Sequence, residues 1–270
     1  MMLNFSSWTR KRSIRAVATI AAWVALWGSS YAQTAEQGKS LGALAKANLA
    51  MQRPAAPVDL TGTYTFKVEG TDANGHEFLP HPKLMPAAQA FLKKKTAYRA
   101  KGFDYFDNAG RCWPIGVPAI MTRYWPVQFV QLPTVVIVIS MVSNNVRWIY
   151  TDGRHHPADE DLALTYNGHS IGHWEGKSLV VDTVGFTDVR HYVSDGVPSG
   201  QKLHVVERIS LSEDDNTLQI EFAMTDPDNW VGEWKNTKHY SREEYLDPQE
   251  NICIYEEEAK SPAFNKNLTK

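Results

Sequence analysis

Short runs of β-branched and aromatic residues alternate with turn residues along the second half of the chain. Within these runs, apolar and polar positions alternate with a period of two, which is typical of strands that bury one face. The pattern predicts eight strands, at 127–131, 135–141, 146–152, 169–174, 179–186, 203–212, 217–225 and 235–245. A ninth strand is predicted earlier in the chain, at 61–68.

Tight turns separate several of the predicted strands, for example at 144–145, 175–177 and 214–216. Strands joined by turns this short are antiparallel neighbours. No helical pattern interrupts the series, which argues against alternating strand and helix units. We therefore predict a mostly β fold, an antiparallel meander that closes into a barrel, because closure removes exposed strand edges. A β-sandwich is the alternative architecture.

The segments before the strands predict a leader and a helical arm. Four basic residues precede an apolar run at 16–28, and Ser30 and Ala32 are the small residues that a signal peptidase reads. A spanning helix needs about 20 apolar residues, so cleavage after Ala32 is favoured over a membrane anchor. Beyond the leader, a short helix is expected near 41–51 and a longer one near 85–100.

These features divide the chain into a signal peptide at 1–32, an N-terminal arm and linker at 33–58, and one β-barrel-like domain at 59–270. We expect a periplasmic or secreted protein with no membrane span after cleavage. Four of the 28 Lys and Arg residues and none of the 30 Asp and Glu residues lie in 1–32, so the mature chain has a net charge of −6. Such an acidic chain is not expected to bind nucleic acid.

The chain has two cysteines, Cys112 and Cys253. In an oxidising compartment they are expected to form a disulfide. It would close a loop of about 140 residues, for which chain entropy predicts a stabilisation of about 5 kcal/mol. Two separate buried thiols are the alternative. The spacing does not match a zinc site, and neither a metal nor a cofactor is predicted.

Six of the nine histidines fall between His155 and His204. His169 and His173 are four residues apart in one predicted strand, so they lie on the same face of the sheet. Imidazoles titrate near neutral pH and can transfer protons, which makes both residues candidate catalytic groups. Metal binding and a solvated surface position are the alternatives.

Two carboxylates interrupt otherwise apolar strand faces, Asp182 within 179–186 and Glu207 within 203–212. A carboxylate on an apolar face is costly unless it is paired, and desolvation raises its pKa into the range of a general acid or base. We therefore expect both groups on the inner wall, facing one hollow, as catalytic candidates. The alternative is a structural ion pair with an internal arginine, for which the candidates are Arg147, Arg154 and Arg208.

The turn at 152–157 brings an arginine and an imidazole to the end of a predicted strand. Binding residues gather on such loops, so Arg154 and His156 are candidate substrate-binding residues, with Arg154 as an anion clamp. The alternative is an Asp-Gly turn with solvated side chains. Aromatic walls for a small ligand are expected from Trp148, Tyr150 and Trp174.

The stretch from Arg147 to Arg208 resembles a family of exported bacterial proteins. The matching residues are Asp152-Gly153-Arg154 with His156-Pro157, Gly168-His169-Ser170-Ile171-Gly172, Trp174-Glu175-Gly176, Leu179-Val180-Val181-Asp182-Thr183 with Gly185-Phe186, and Glu207-Arg208. After Cys253 the chain departs from the family's usual residues. The resemblance carries over no catalytic role. It implies only that the residues selected above on physical grounds are landmarks of the family.

The opening Asp59-Leu60-Thr61-Gly62-Thr63-Tyr64 is similar to the first strand of lipocalin-like barrels. A barrel of about eight strands has room for one small ligand. We expect the protein to bind a small hydrophobic or aromatic molecule, and to act as a cofactor-independent lyase, isomerase or hydratase, since these reactions need only placed acids and bases. The alternatives are a non-catalytic ligand-binding protein and a structural envelope protein.

Overall fold

The computed structural model describes residues 41–67, 77–102, 108–109, 112–123, 125–194 and 196–251. The predicted signal peptide lies outside these residues. The fold described below belongs to the unit Gly42–Lys270. Within the described residues, no helix is both long and apolar enough to cross a membrane.

The unit Gly42–Lys270 is a mostly β fold in which nine strands close into a barrel. With the two strands of a smaller sheet, the described residues form eleven strands: β1 Gly62–Phe66, β2 Val127–Leu132, β3 Val135–Ser140, β4 Asn145–Tyr150, β5 His169–Glu175, β6 Ser178–Val184, β7 Tyr192–Ser194, β8 Val197–Pro198, β9 His204–Leu211, β10 Thr217–Thr225 and β11 Glu233–Glu243. Around the barrel their order is β1-β11-β10-β9-β6-β5-β4-β3-β2, and β7 pairs with β8 in a small separate sheet. The predicted barrel is confirmed.

Two α-helices accompany the strands, α1 Lys46–Leu49 and α2 Pro86–Arg99. The helix predicted near 85–100 is therefore present, while the arm helix is shorter than expected. Short 3₁₀ turns lie at Ala119–Thr122 and at Val142–Asn144.

The pair of β4 and β5 is parallel, with Ile149 opposite Ser170, whereas the other neighbours in the barrel are antiparallel. A closed ring with an odd number of strands cannot alternate direction all the way round, so one parallel pair is required. Parallel neighbours need a long connection between them. Here residues 151–168 make that connection, and they bring the loop after β4 back to the start of β5.

The inner wall of the barrel follows the period-two pattern of the strands. On β6, Leu179, Val181 and Thr183 are buried, and on β9 Val205 and Ile209 are buried, so odd-numbered residues of both strands face inward. Their apolar side chains join one core cluster with those of the other strands. The residues between them face outward, and this parity decides where each candidate side chain lies.

The N-terminal arm is fastened to one end of the barrel. The Gln131 side chain accepts a hydrogen bond from the Leu60 amide over 3.0 Å and donates one to the Val58 carbonyl over 2.9 Å. The buried Thr134 hydroxyl donates to the Ala43 carbonyl over 2.7 Å. These contacts hold residues 43–60 across the turn between β2 and β3.

Candidate active site on the outer wall

Asp182 faces the outside of the barrel. It lies between Val181 and Thr183, both fully buried on the inner wall, and its own side chain is 36% exposed. The face it shares with Val180 and Val184 is apolar, as the sequence indicated, but this is the outer face. The polar groups that satisfy Asp182 therefore come from a loop and a neighbouring strand end.

Two histidines converge on Asp182. Nε2 of His156 lies 3.0 Å from Oδ1, and Nε2 of His204 lies 2.8 Å from Oδ2. Since an ionised carboxylate only accepts hydrogen bonds, both imidazoles donate through Nε2. His156 arrives on the 151–168 connection, and His204 is the first residue of β9. The long connection required by the parallel strand pair thus supplies His156, one of the two histidines that bind Asp182.

A third histidine continues the series. Nδ1 of His156 lies 2.8 Å from Nδ1 of His169, the first residue of β5. In a neutral His156 whose Nε2 carries the proton, Nδ1 accepts, so His169 donates through its own Nδ1. A neutral His169 then keeps its lone pair on Nε2, an atom with no hydrogen-bond partner in the described part of the chain. We name His169, His156, Asp182 and His204 the histidine–aspartate chain.

The two ends of the histidine–aspartate chain differ in electrostatics. Burial, with the nearby charges of His156 and Arg154, lowers the pKa of His169 to about 4. The hydrogen bond to Asp182 raises the pKa of His204 above its ordinary value. The same bond from His204 lowers the pKa of Asp182, which is ionised at neutral pH. His169 is therefore a neutral base, while His204 holds its proton more firmly.

Arg154 lies beside this chain, but its guanidinium is already engaged. Nε and Nη2 donate to the two carboxylate oxygens of Asp152 over 2.8 and 2.6 Å, and the group sits 4.0 Å above the Tyr150 ring. Burial alone would raise the pKa of Asp152, but hydrogen bonds from Arg154 and Asn48 outweigh it and lower that pKa to about 2. The arginine expected to clamp an anion thus forms a bidentate pair within the protein.

The aromatic residues of β4 lie on the same outer face. The Tyr150 ring is 5.3 Å from the His169 ring, and Trp148 is 39% exposed. Trp148 also pairs in register with Ile137 of β3, whose side chain is half-buried on that face. Of the three predicted aromatic walls, Tyr150 therefore lies beside the histidine–aspartate chain, and Trp148 shares its outer face of the barrel.

His173 is not part of the histidine–aspartate chain. It shares its face with His169, as the strand parity predicted, but its side chain is 64% exposed. Its Nε2 lies 3.0 Å from the Glu175 carboxylate, which also accepts a hydrogen bond from Arg208. His173 thus belongs to an exposed group of charges near the turn between β5 and β6.

Glu207 lies inside the barrel and is fully buried. Arg147 donates to both of its carboxylate oxygens, one over 3.0 Å and the other in a shorter contact. The same guanidinium donates to the hydroxyls of Ser170 over 3.2 Å and Thr183 over 3.1 Å. This is the structural ion pair that the sequence left open as an alternative, and Arg147 is the arginine. The structure does not bring Glu207 and Asp182 into one hollow.

Trp174 takes yet another position. It packs against the barrel core and lines a groove of about 900 Å³ at the end of the barrel covered by the N-terminal arm. Inner-wall residues Val136 and Gly172 line the same groove, together with Met51 and residues 53–57 of the arm. We call this the mouth groove. Of the candidate residues, His173 and Trp174 line it.

His204 is the site residue that the sequence analysis did not select, although it lies within the histidine-rich stretch. Its place in the site depends on the pairing of β6 with β9, which sets Asp182 opposite Val206 and within reach of His204. In the described ranges, no group of three or more histidine, cysteine or acidic residues could hold a metal ion. The Cys112–Cys253 bond stays a prediction, because Cys253 lies outside the described residues.

No family model matches the chain, and no curated protein matches it.

Proposed function

We propose that the protein is an exported, cofactor-independent acid–base enzyme that acts on a small hydrophobic or aromatic molecule as a lyase, isomerase or hydratase. The observation that carries the proposal is the continuous hydrogen-bonded series from His169 through His156 and Asp182 to His204. Groups whose environments push their pKa values apart are the usual acid and base of such reactions.

The proposed reaction begins with His169. Its unprotonated Nε2 takes a proton from a carbon of the substrate, while His156, held in turn by Asp182, orients the ring through the hydrogen bond between the two Nδ1 atoms. In an elimination, the electron pair of the broken C–H bond forms the double bond and the C–O bond breaks. His204, in its protonated form, gives a proton to the departing oxygen. One histidine gains the proton that the other loses, so the step balances as loss of water.

The expected substrate class follows from the surface beside the base. Trp148 and Tyr150 present aromatic rings on the face that carries His169. Aromatic side chains favour flat apolar molecules by stacking and by burial of area. These rings support a hydrophobic or aromatic substrate.

A non-catalytic, lipocalin-like carrier is the second candidate function, and the mouth groove favours it. Barrel mouths are common ligand sites, and the groove's volume falls within the usual range of about 300–1,000 Å³. In that case the histidine–aspartate chain would only fasten the 151–168 connection to the barrel wall.

The test uses the full chain in D₂O with a panel of small aromatic and aliphatic hydroxy acids, ketones and alcohols. Deuterium incorporation and loss of water are followed by mass spectrometry. We expect turnover of at least one compound, lost in His169→Asn and Asp182→Asn while circular dichroism stays unchanged. His173→Asn, a matched exposed histidine on the same strand, should retain turnover. Equal turnover in all variants, or ligand binding without any turnover, would overturn the proposal.

A further inference from the structure

The mouth groove is built from the barrel and the arm together. Its floor includes Val136 and Trp174, which also belong to or pack against the barrel core, and its outer wall is the arm at 53–57. Pro54 and Pro57 restrict the backbone of that wall, and the Gln131 hydrogen bonds anchor the arm just beyond it. The groove is therefore held open before any ligand arrives.

Arg53 is the cation of this groove. Its guanidinium donates to the Asn48 carbonyl, to the Asn48 side-chain oxygen and to the Met51 carbonyl, all of them neutral acceptors. Across the described ranges, no carboxylate lies within ion-pair distance of Arg53. A half-buried guanidinium beside apolar walls thus carries a charge that the protein does not neutralise with an ion pair.

The two acidic residues that line the groove are engaged elsewhere. Asp152 accepts both guanidinium hydrogen bonds of Arg154, one from the Arg154 backbone amide, and one from the side-chain amide of Asn48 over 2.8 Å. Asp59 is exposed and accepts the amide of Thr61 over 2.9 Å. Neither forms an ion pair with Arg53, so the positive charge of Arg53 favours the binding of an anion.

We propose that the mouth groove binds a small carboxylate with an aromatic or aliphatic body, with Arg53 bound to the carboxylate and Trp174 packed against the body. A guanidinium suits this role because it stays charged, and a charge-assisted hydrogen bond to a carboxylate is stronger than the bonds to the neutral oxygens and the Met51 sulfur that it would replace. Arg53, rather than Arg154, is then the anion-binding arginine. This site is separate from the histidine–aspartate chain and goes beyond the catalytic proposal.

The test compares two probes of nearly equal shape, naphthalene-2-carboxylate and neutral 2-naphthylmethanol, by calorimetry and tryptophan fluorescence on the full chain. We expect the carboxylate to bind at least about tenfold more tightly, since a charge-assisted pair is worth more than about 1.4 kcal/mol. Arg53→Gln should remove this preference, Arg53→Lys should retain part of it, and Trp174→Leu should weaken both probes.

Two controls separate the outcomes. Arg208→Gln, an arginine outside the groove, should leave both affinities unchanged. His169→Asn should also leave them unchanged, so failure of the catalytic proposal would not affect this result. The inference is overturned if the two probes bind with equal affinity, or if neither probe binds. Both results are measured on the unaltered protein, so the test stands even where a variant fails to fold.

Discussion

Asp182 and Glu207 lie on paired strands and project to opposite faces of the barrel wall. Glu207 is opposite Val181, one residue from Asp182, yet Glu207 is fully buried inside while Asp182 is partly exposed outside. The two carboxylates therefore meet different partners, an arginine within the core and two histidines on the surface. Different consequences are expected from removing each.

Replacing Asp182 by Asn should lower the pKa of His204 towards its ordinary value near 6.5. The carboxylate raises that pKa by a hydrogen bond to the protonated ring, so its stabilising contribution is present below the unfolded pKa and is lost as pH rises through the folded pKa. Titration of the imidazole resonances by NMR measures the shift. An unchanged His204 would contradict the geometry of the site.

Breaking the buried ion pair should be costly. Arg147→Met leaves the Glu207 carboxylate buried without its cation, which typically costs about 3–5 kcal/mol. The double variant Arg147→Met/Glu207→Leu removes both charges and should recover most of this loss, because the desolvation cost disappears with them. Urea denaturation of the three proteins at neutral pH measures the difference. A single variant as stable as the original protein would contradict the assigned pairing.

The buried His191 should make the fold sensitive to acid. Its Nδ1 lies 2.5 Å from the Ser199 hydroxyl oxygen and its Nε2 lies 3.0 Å from the Tyr166 carbonyl oxygen. Burial lowers its pKa to about 4. The unfolded chain takes up this proton first, so the contribution of His191 is complete above about pH 6.5 and is lost as pH falls towards 4, by at most about 3 kcal/mol.

His191→Gln tests this sign. The variant keeps a hydrogen-bonding side chain but cannot titrate, so the free energy of unfolding should fall less steeply between pH 6.5 and 4.5 than in the original protein. The measured quantity is the slope with pH, which is separate from any constant loss of stability in the variant. Parallel slopes would show that another group dominates acid unfolding.

The predicted disulfide between Cys112 and Cys253 can be tested chemically. Peptide mapping under non-reducing conditions should recover the two cysteines in one cross-linked peptide. Reduction, or the double replacement by Ser, should lower the free energy of unfolding by a few kcal/mol, since the closed loop is long. Recovery of two separate, alkylated thiols from unreduced protein would contradict the pairing.

The sequence by itself determined the barrel strands of this fold, but it did not indicate the short strands β7 and β8. Alternation in runs such as 203–212 and 217–225 is a local property of each strand, and it located β9 and β10 closely. The same parity placed His169 and His173 on one face. It also indicated that Asp182 and Glu207 each interrupt an apolar face, because parity depends only on neighbouring residues.

Tertiary structure decided which face was inner and which side chains met. A strand with apolar residues on both faces, such as β6, carries no local sign of the side that packs inward. The partner of each charge was also a non-local matter, since Arg147 meets Glu207 and His204 meets Asp182 only through strand register. Ring closure then required the parallel pair of β4 and β5, whose long connection brought His156 to the outer wall.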